Sequence, residues 1–131
     1  MSQIFSEVWM QSFKTIWNKS PEFYESLQKA NFASRIGYGF KNEPRARGFI
    51  FIVNGKVDRA GTMDDVELDW DLRASQENWE SWMKNGFGLT KLGPAVATNS
   101  LQFVKGDYRQ MIRNISLSKP FLDHFELMRK V

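Results

Sequence analysis

Five carboxylates lie close together in this 131-residue chain: Asp64, Asp65, Glu67, Asp69 and Asp71. Converging carboxylates would hold a divalent cation or share a proton for acid–base work. Here the spacing argues against convergence. Glu67, Asp69 and Asp71 alternate with Val66, Leu68, Trp70 and Leu72, which spreads them along the polar face of a strand. No calcium-loop spacing occurs, so they read as solvated charges and no metal site is expected.

The remaining chemistry-bearing groups are few. His124, the single histidine, follows the helix breaker Pro120 by four residues, and no acid–base partner is legible near it; it reads as a surface or partly packed side chain. There is no cysteine, which excludes disulfides, thiolate catalysis and cysteine-ligated metal. Gly37 and Gly39 lie inside a strand pattern, and Gly86 and Gly88 lack the lysine and hydroxyl of a phosphate-cradling loop. No nucleophile elbow is present. The expectation is no catalytic residue, no metal and no cofactor. One enzymatic alternative is a small α+β enzyme with a buried carboxylate as general base on a hydrophobic ketone. Its candidates are Asp69, Asp71, Tyr38 and Tyr108, and the strand alternation turns both aspartates away from the core.

The elements that would position any site are organised around the stretch VELDWDLRASQENWESWMKNG, residues 66–86. Its first nine residues alternate as a half-buried strand. Ser75 then serves as an N-cap, and Trp79, Trp82 and Met83 recur at helical spacing until Gly86 ends the turn. A strand running directly into an amphipathic helix predicts a helix laid on the apolar face of a sheet.

Upstream, Phe5, Trp9, Phe13 and Trp17 step by four through a helix over Gln3 to Asn18. Ser20-Pro21 opens a second helix with Phe23, Tyr24 and Leu27 inside. This aromatic ladder reads as packing onto the sheet in preference to a lid or membrane anchor. Strands follow at 34–41, at FIFIV (Phe49 to Val53) and, after the hairpin turn Asn54-Gly55, at Lys56 to Thr62. Asp64-Asp65 is read as a turn. Beyond Gly86 the pattern predicts a loop, a short helix from Pro94 and a last strand through Leu101 and Phe103. A helix capped by Asp107 and a terminal helix starting at Pro120 complete the chain. The order predicts a single α+β domain over residues 1–131, with an antiparallel meander and about five strands covered on one face by helices.

Composition narrows the partners. The net charge is +3, but the basic residues are scattered with no dense stripe, so no nucleic-acid partner is expected; a weak contact with anionic membrane surfaces suits the charge better. No apolar run approaches a membrane span, and the N-terminus lacks a signal-peptide pattern, which makes the cytoplasm the expected location. Aromatic residues reach 15%, and large apolar groups exceed what one thin helical layer requires. They are candidates to line an apolar cavity: Trp79, Trp82, Met83, Phe87, Leu89, Leu92, Val96, Phe103, Met111, Phe121 and Phe125. Burying one methylene of a lipid chain contributes ~0.8 kcal/mol, so a carrier can bind with no polar constellation at all. A third reading is a regulatory or scaffold subunit with a filled core, in which aromatic surface meets a protein partner or a second copy in a homodimer.

Three segments carry a family resemblance: FIFIVNGKV, VELDWDLRASQENWESWMKNG and SLQFVKGDYRQMI with its Gly106-Asp107 turn. Together they resemble the sterol carrier protein family, the sterol-transfer domain. The resemblance implies about five strands covered by helices around an apolar tunnel for sterols, fatty acyl chains or acyl-CoA, with binding and transfer but no catalysis. It places the helix of Trp79, Trp82 and Met83, the following loop and the C-terminal helices around that tunnel. The chain departs from the family at Ser100, where many members carry glycine. Its ending MRKV also lacks the small-basic-Leu signal of peroxisomal members.

Overall fold

The computed structural model describes residues 3–63 and 66–131, so the expected Asp64-Asp65 turn lies outside the described residues. Among the described residues there are six helices and five strands. In chain order they are α1 (Glu7–Asn18), α2 (Pro21–Lys29), β1 (Ser34–Phe40), β2 (Gly48–Val53), β3 (Lys56–Thr62) and β4 (Trp70–Ala74). Then come α3 (Gln76–Asn85), α4 (Leu89–Ala97), β5 (Gln102–Lys105), α5 (Tyr108–Arg113) and α6 (Ile115–Met128).

The strands form one sheet in the order β3-β2-β1-β4-β5. β2 pairs antiparallel with β1 and β3, and β4 with β5, but β1 and β4 run parallel. The sheet is therefore mixed and not a plain meander. After β3 the chain crosses from one edge and adds β4 on the far side of β1, a crossover that alternation along one strand does not record.

The β2–β3 hairpin turns on Asn54 (φ 51°) and Gly55 (φ 81°), the paired left-handed residues that such a tight turn requires. At α3, the Ser75 side chain accepts the Asn78 N–H and Gly86 closes the helix at φ 89°, as capping chemistry dictates. α1 begins at Glu7, later than its apolar pattern. Phe5 sits at φ 63°, and the Ser6 side chain caps the helix by accepting from the Trp9 N–H.

Two prolines do not break helices where their chemistry predicts. Pro94 lies inside α4, and Pro120 lies inside α6. The carbonyls that lose a partner belong to Thr90 and Ser116, both exposed, so water can satisfy them and the cost falls. The real break is at Asn114, which ends α5 and caps α6 through its bond to the Ser116 N–H.

The helices gather on one face of the sheet. Ile36 and Tyr38 of β1, Ile50 and Ile52 of β2, and Leu72 and Ala74 of β4 project there into one buried cluster, which runs from Phe5 to Met128. The two deepest indoles are anchored by hydrogen bonds: Trp17 donates to the Gly55 carbonyl and Trp79 to the Gly39 carbonyl, both at 2.9 Å.

The other face differs from its expected wetness. Asp71 and Arg73 are buried, at 7% and 5% exposure. Leu68 and Val66 pack with Ala46, Phe49, Phe51 and Met63 on this far side, not with Trp70 and Leu72, because strand pairing starts only at Trp70. Gly37 and Gly39 make the covering possible. A methyl group at Gly37 would meet Leu68 Cδ1 at 2.4 Å, and one at Gly39 would meet the Ala46 backbone at 2.9 Å.

Candidate ligand-binding site

Between the helices and the sheet lies a cavity of about 350 Å³, at the lower end of the volumes that hold small ligands. Its floor is Ile36, Ile52, Leu72 and Trp70 from the sheet; Trp17 of α1 with Phe23 and Leu27 of α2 form one wall, continued by Phe32 and Ala33. The opposite wall is Met111 of α5 with Leu117, Pro120, Phe121 and His124 of α6. The lining is mainly hydrocarbon, with Ser34, Asp69 and His124 as its polar members. Ala33 and Asp69 are exposed and mark where it reaches the surface.

Next to it a second hollow of about 230 Å³ shares Asp69, Trp70, Met111 and Leu117 and adds Gly106, Asp107, Gln110 and Asn114. Three of its polar side chains are engaged in structure: Asp69 accepts the Arg35 backbone N–H at 2.9 Å, Asp107 caps α5 through the Gln110 N–H, and Asn114 caps α6 through the Ser116 N–H. Trp70 divides the two spaces, held against Gly106 (φ 105°), where a Cβ would overlap the indole ring.

His124 is the unusual member of the lining. It is 2% exposed, ringed by Phe13, Tyr38, Phe121 and Phe125. Its Nδ1 bonds the Phe121 carbonyl, while Nε2 is buried with no partner. Burial pushes its pKa down to about 4, opposed in part by that carbonyl and by Asp123. The Tyr38 hydroxyl is likewise buried and unpartnered, and burial holds its pKa well above the usual phenol value.

Of the residues singled out in the sequence, Met111 and Phe121 line the cavity. Phe103 and Phe125 stand one ring behind, 5.9 and 5.2 Å from Phe121. Trp79, Phe87 and Leu92 are fully packed in the core, and Trp82, Met83 and Val96 pack partly buried against it, away from the cavity. The side chain of Leu89 lies outside the described residues. The cavity is instead completed by α1 and α2, whose aromatic ladder both packs on the sheet and walls the hollow. The signal in the sequence is Phe23 and Leu27 on the inner side of a helix too short to cover the sheet alone. Of the enzymatic candidates, Asp71 is on the opposite face of the sheet, Asp69 is at the rim, Tyr38 is in the core, and Tyr108 packs on Phe103. Among the described residues no three His, Asp or Glu side chains group to hold a metal, and no helix is long and apolar enough to cross a membrane.

A mixed five-stranded sheet with its helices on one face and a hollow between the layers defines an α+β fold. It is the sterol carrier protein fold. The chain superimposes on a crystal structure of sterol carrier protein 2 with a TM-score of 0.78 at 14% identity, covering 98% of this chain and 99% of that one. A conserved Thermus thermophilus protein described as possibly a sterol carrier protein matches with a TM-score of 0.76 at 13% identity, over 98% and 89% of the two chains. The ubiquinone synthesis protein UbiJ-SCP2 matches with a TM-score of 0.61 at 11% identity, over 93% and 88%. No family model and no curated protein matches the sequence.

Proposed function

We propose that the chain is a single lipid-binding domain that takes up an apolar or amphiphilic small molecule in the cavity between α2, α6 and the sheet, and releases it unchanged. The observation that carries this reading is the cavity itself: about 350 Å³ walled mainly by hydrocarbon in a domain otherwise packed with aromatic rings. Interiors of this kind normally close around their voids. A retained apolar hollow reaching the surface is suited to a ligand that binds by burial of methylenes. The sterol carrier protein fold supports the same reading by analogy of architecture.

On this reading the binding residues are Trp17, Leu27, Ile36, Leu72, Met111 and Phe121. Release onto a weakly anionic membrane surface accords with the net charge of +3. The test is to purify the protein without delipidation, extract it with organic solvent and identify the extract by mass spectrometry. A stoichiometric lipid, with a fall in melting temperature once it is removed, is the expected result. Ala33→Trp should plug the rim at little cost to the fold and exclude the ligand. Recovery of no lipid, with no thermal shift on adding fatty acids, acyl-CoA or sterols, refutes the reading.

A further inference from the structure

We infer that His124 is a hydrogen-bond acceptor for a hydroxyl group on the ligand, so that the cavity selects neutral alcohols or phenols with apolar bodies over ethers and anionic acyl groups. This rests on the lipid-binding reading above and specifies the chemistry of the same cavity.

The Phe121 carbonyl can only accept, so the Nδ1 bonded to it carries the ring proton. Nε2 is then a bare lone pair, buried without a donor on a side chain that lines the cavity. Buried acceptors are almost always satisfied. An entering O–H meets that need, whereas an ether or ester oxygen would set one acceptor against another. The Tyr38 hydroxyl, also unpartnered, belongs to the same patch of core, its ring 6.0 Å from the imidazole. The ring is uncharged at neutral pH, with its pKa near 4. The cavity lining contains no lysine or arginine, and Asp69 at its rim is paired with the Arg35 guanidinium at 3.6 Å. A carboxylate or phosphate would therefore leave water for the interior without a counter-charge there.

The experiment compares decanol, decyl methyl ether and decanoate by titration calorimetry on the full chain. Decanol should bind about tenfold tighter than the ether. His124→Leu should reduce that preference to nearly none while ether binding persists, and His124→Gln, which restores an acceptor, should recover part of it. In the wild-type chain, the His124 Nε2 resonance in nitrogen NMR should move with decanol and stay in place with the ether, a readout independent of how well a variant folds. Equal binding of alcohol and ether to the wild type overturns the inference while leaving the lipid-binding reading intact; a water held on Nε2 would produce that result. A preference that survives His124→Leu also overturns it. Failure of all three probes to bind overturns both.

Discussion

Asp71 and Arg73 sit two residues apart on the same face of β4 and close a two-point ion pair, Nε to Oδ1 at 2.6 Å and Nη2 to Oδ2 at 3.0 Å. The pair is buried on the sheet face opposite the cavity. Arg73 Nη1 also donates to the Glu43 carbonyl at 2.9 Å and reaches the Phe40 carbonyl at 3.4 Å. The guanidinium thus ties the turn 41–46 over Gly37 and Gly39.

Removing one partner of this pair leaves the other charge buried and alone. Arg73→Ala should cost about 3–5 kcal/mol of stability in urea unfolding, through the uncompensated Asp71 and the two released carbonyls. The double change Asp71→Leu with Arg73→Met should cost markedly less than the single one. Equal losses in both would show that the pair does not organise this face.

The ion pair also shows where the sequence was legible. Period two along 70–74 gave the strand, and the serine, glycine and Asn-Gly signals gave the caps and the hairpin, because these are local properties of backbone and side chain. Which face was wet was not local. It depends on turns from elsewhere closing over Gly37 and Gly39, and on a charged pair neutralising itself within the strand. Paired glycines in a strand are the one trace of that close approach. The cavity was hidden for a similar reason. An aromatic helix reads the same whether its rings fill a core, as Trp79 and Phe87 do, or wall a hollow, as Trp17 and Phe23 do.

Trp70 offers a way to disturb both hollows from outside the core. Gly106 holds φ 105°, and a Cβ there would approach the indole to 2.1 Å. Gly106→Ala should therefore push Trp70 from its place, costing about 1–3 kcal/mol, and lower affinity for the extracted ligand. Unchanged Trp fluorescence and affinity in this variant would disprove the role given to Trp70.

The Tyr38 hydroxyl is buried without a partner, so its oxygen has lost water and gained nothing. Tyr38→Phe keeps the ring against Phe5 at 5.7 Å and against Phe13. The ligand-free protein should be as stable as wild type or up to ~1 kcal/mol more stable. A clear loss of stability in thermal unfolding would mean that the hydroxyl is satisfied in solution.

Acid should reveal the buried imidazole. The folded pKa of His124 is about 4, below the ordinary 6.5, so between those values the unfolded chain binds a proton that the folded chain refuses. Stability is therefore fully present above pH ~6.5 and falls as pH drops towards ~4, by on the order of 3 kcal/mol in all. The groups beside the ring are the Phe121 carbonyl, Asp123 and the Tyr38 phenol. Of these only Asp123 is acidic, and it belongs to the same helix. The comparison is with His124→Leu, measured by urea unfolding at pH steps across the window, which isolates the contribution of the imidazole. That variant should lose the part of the slope that the imidazole contributes across pH ~6.5 to ~4. A wild-type slope that matches the variant's throughout would place the imidazole in contact with solvent.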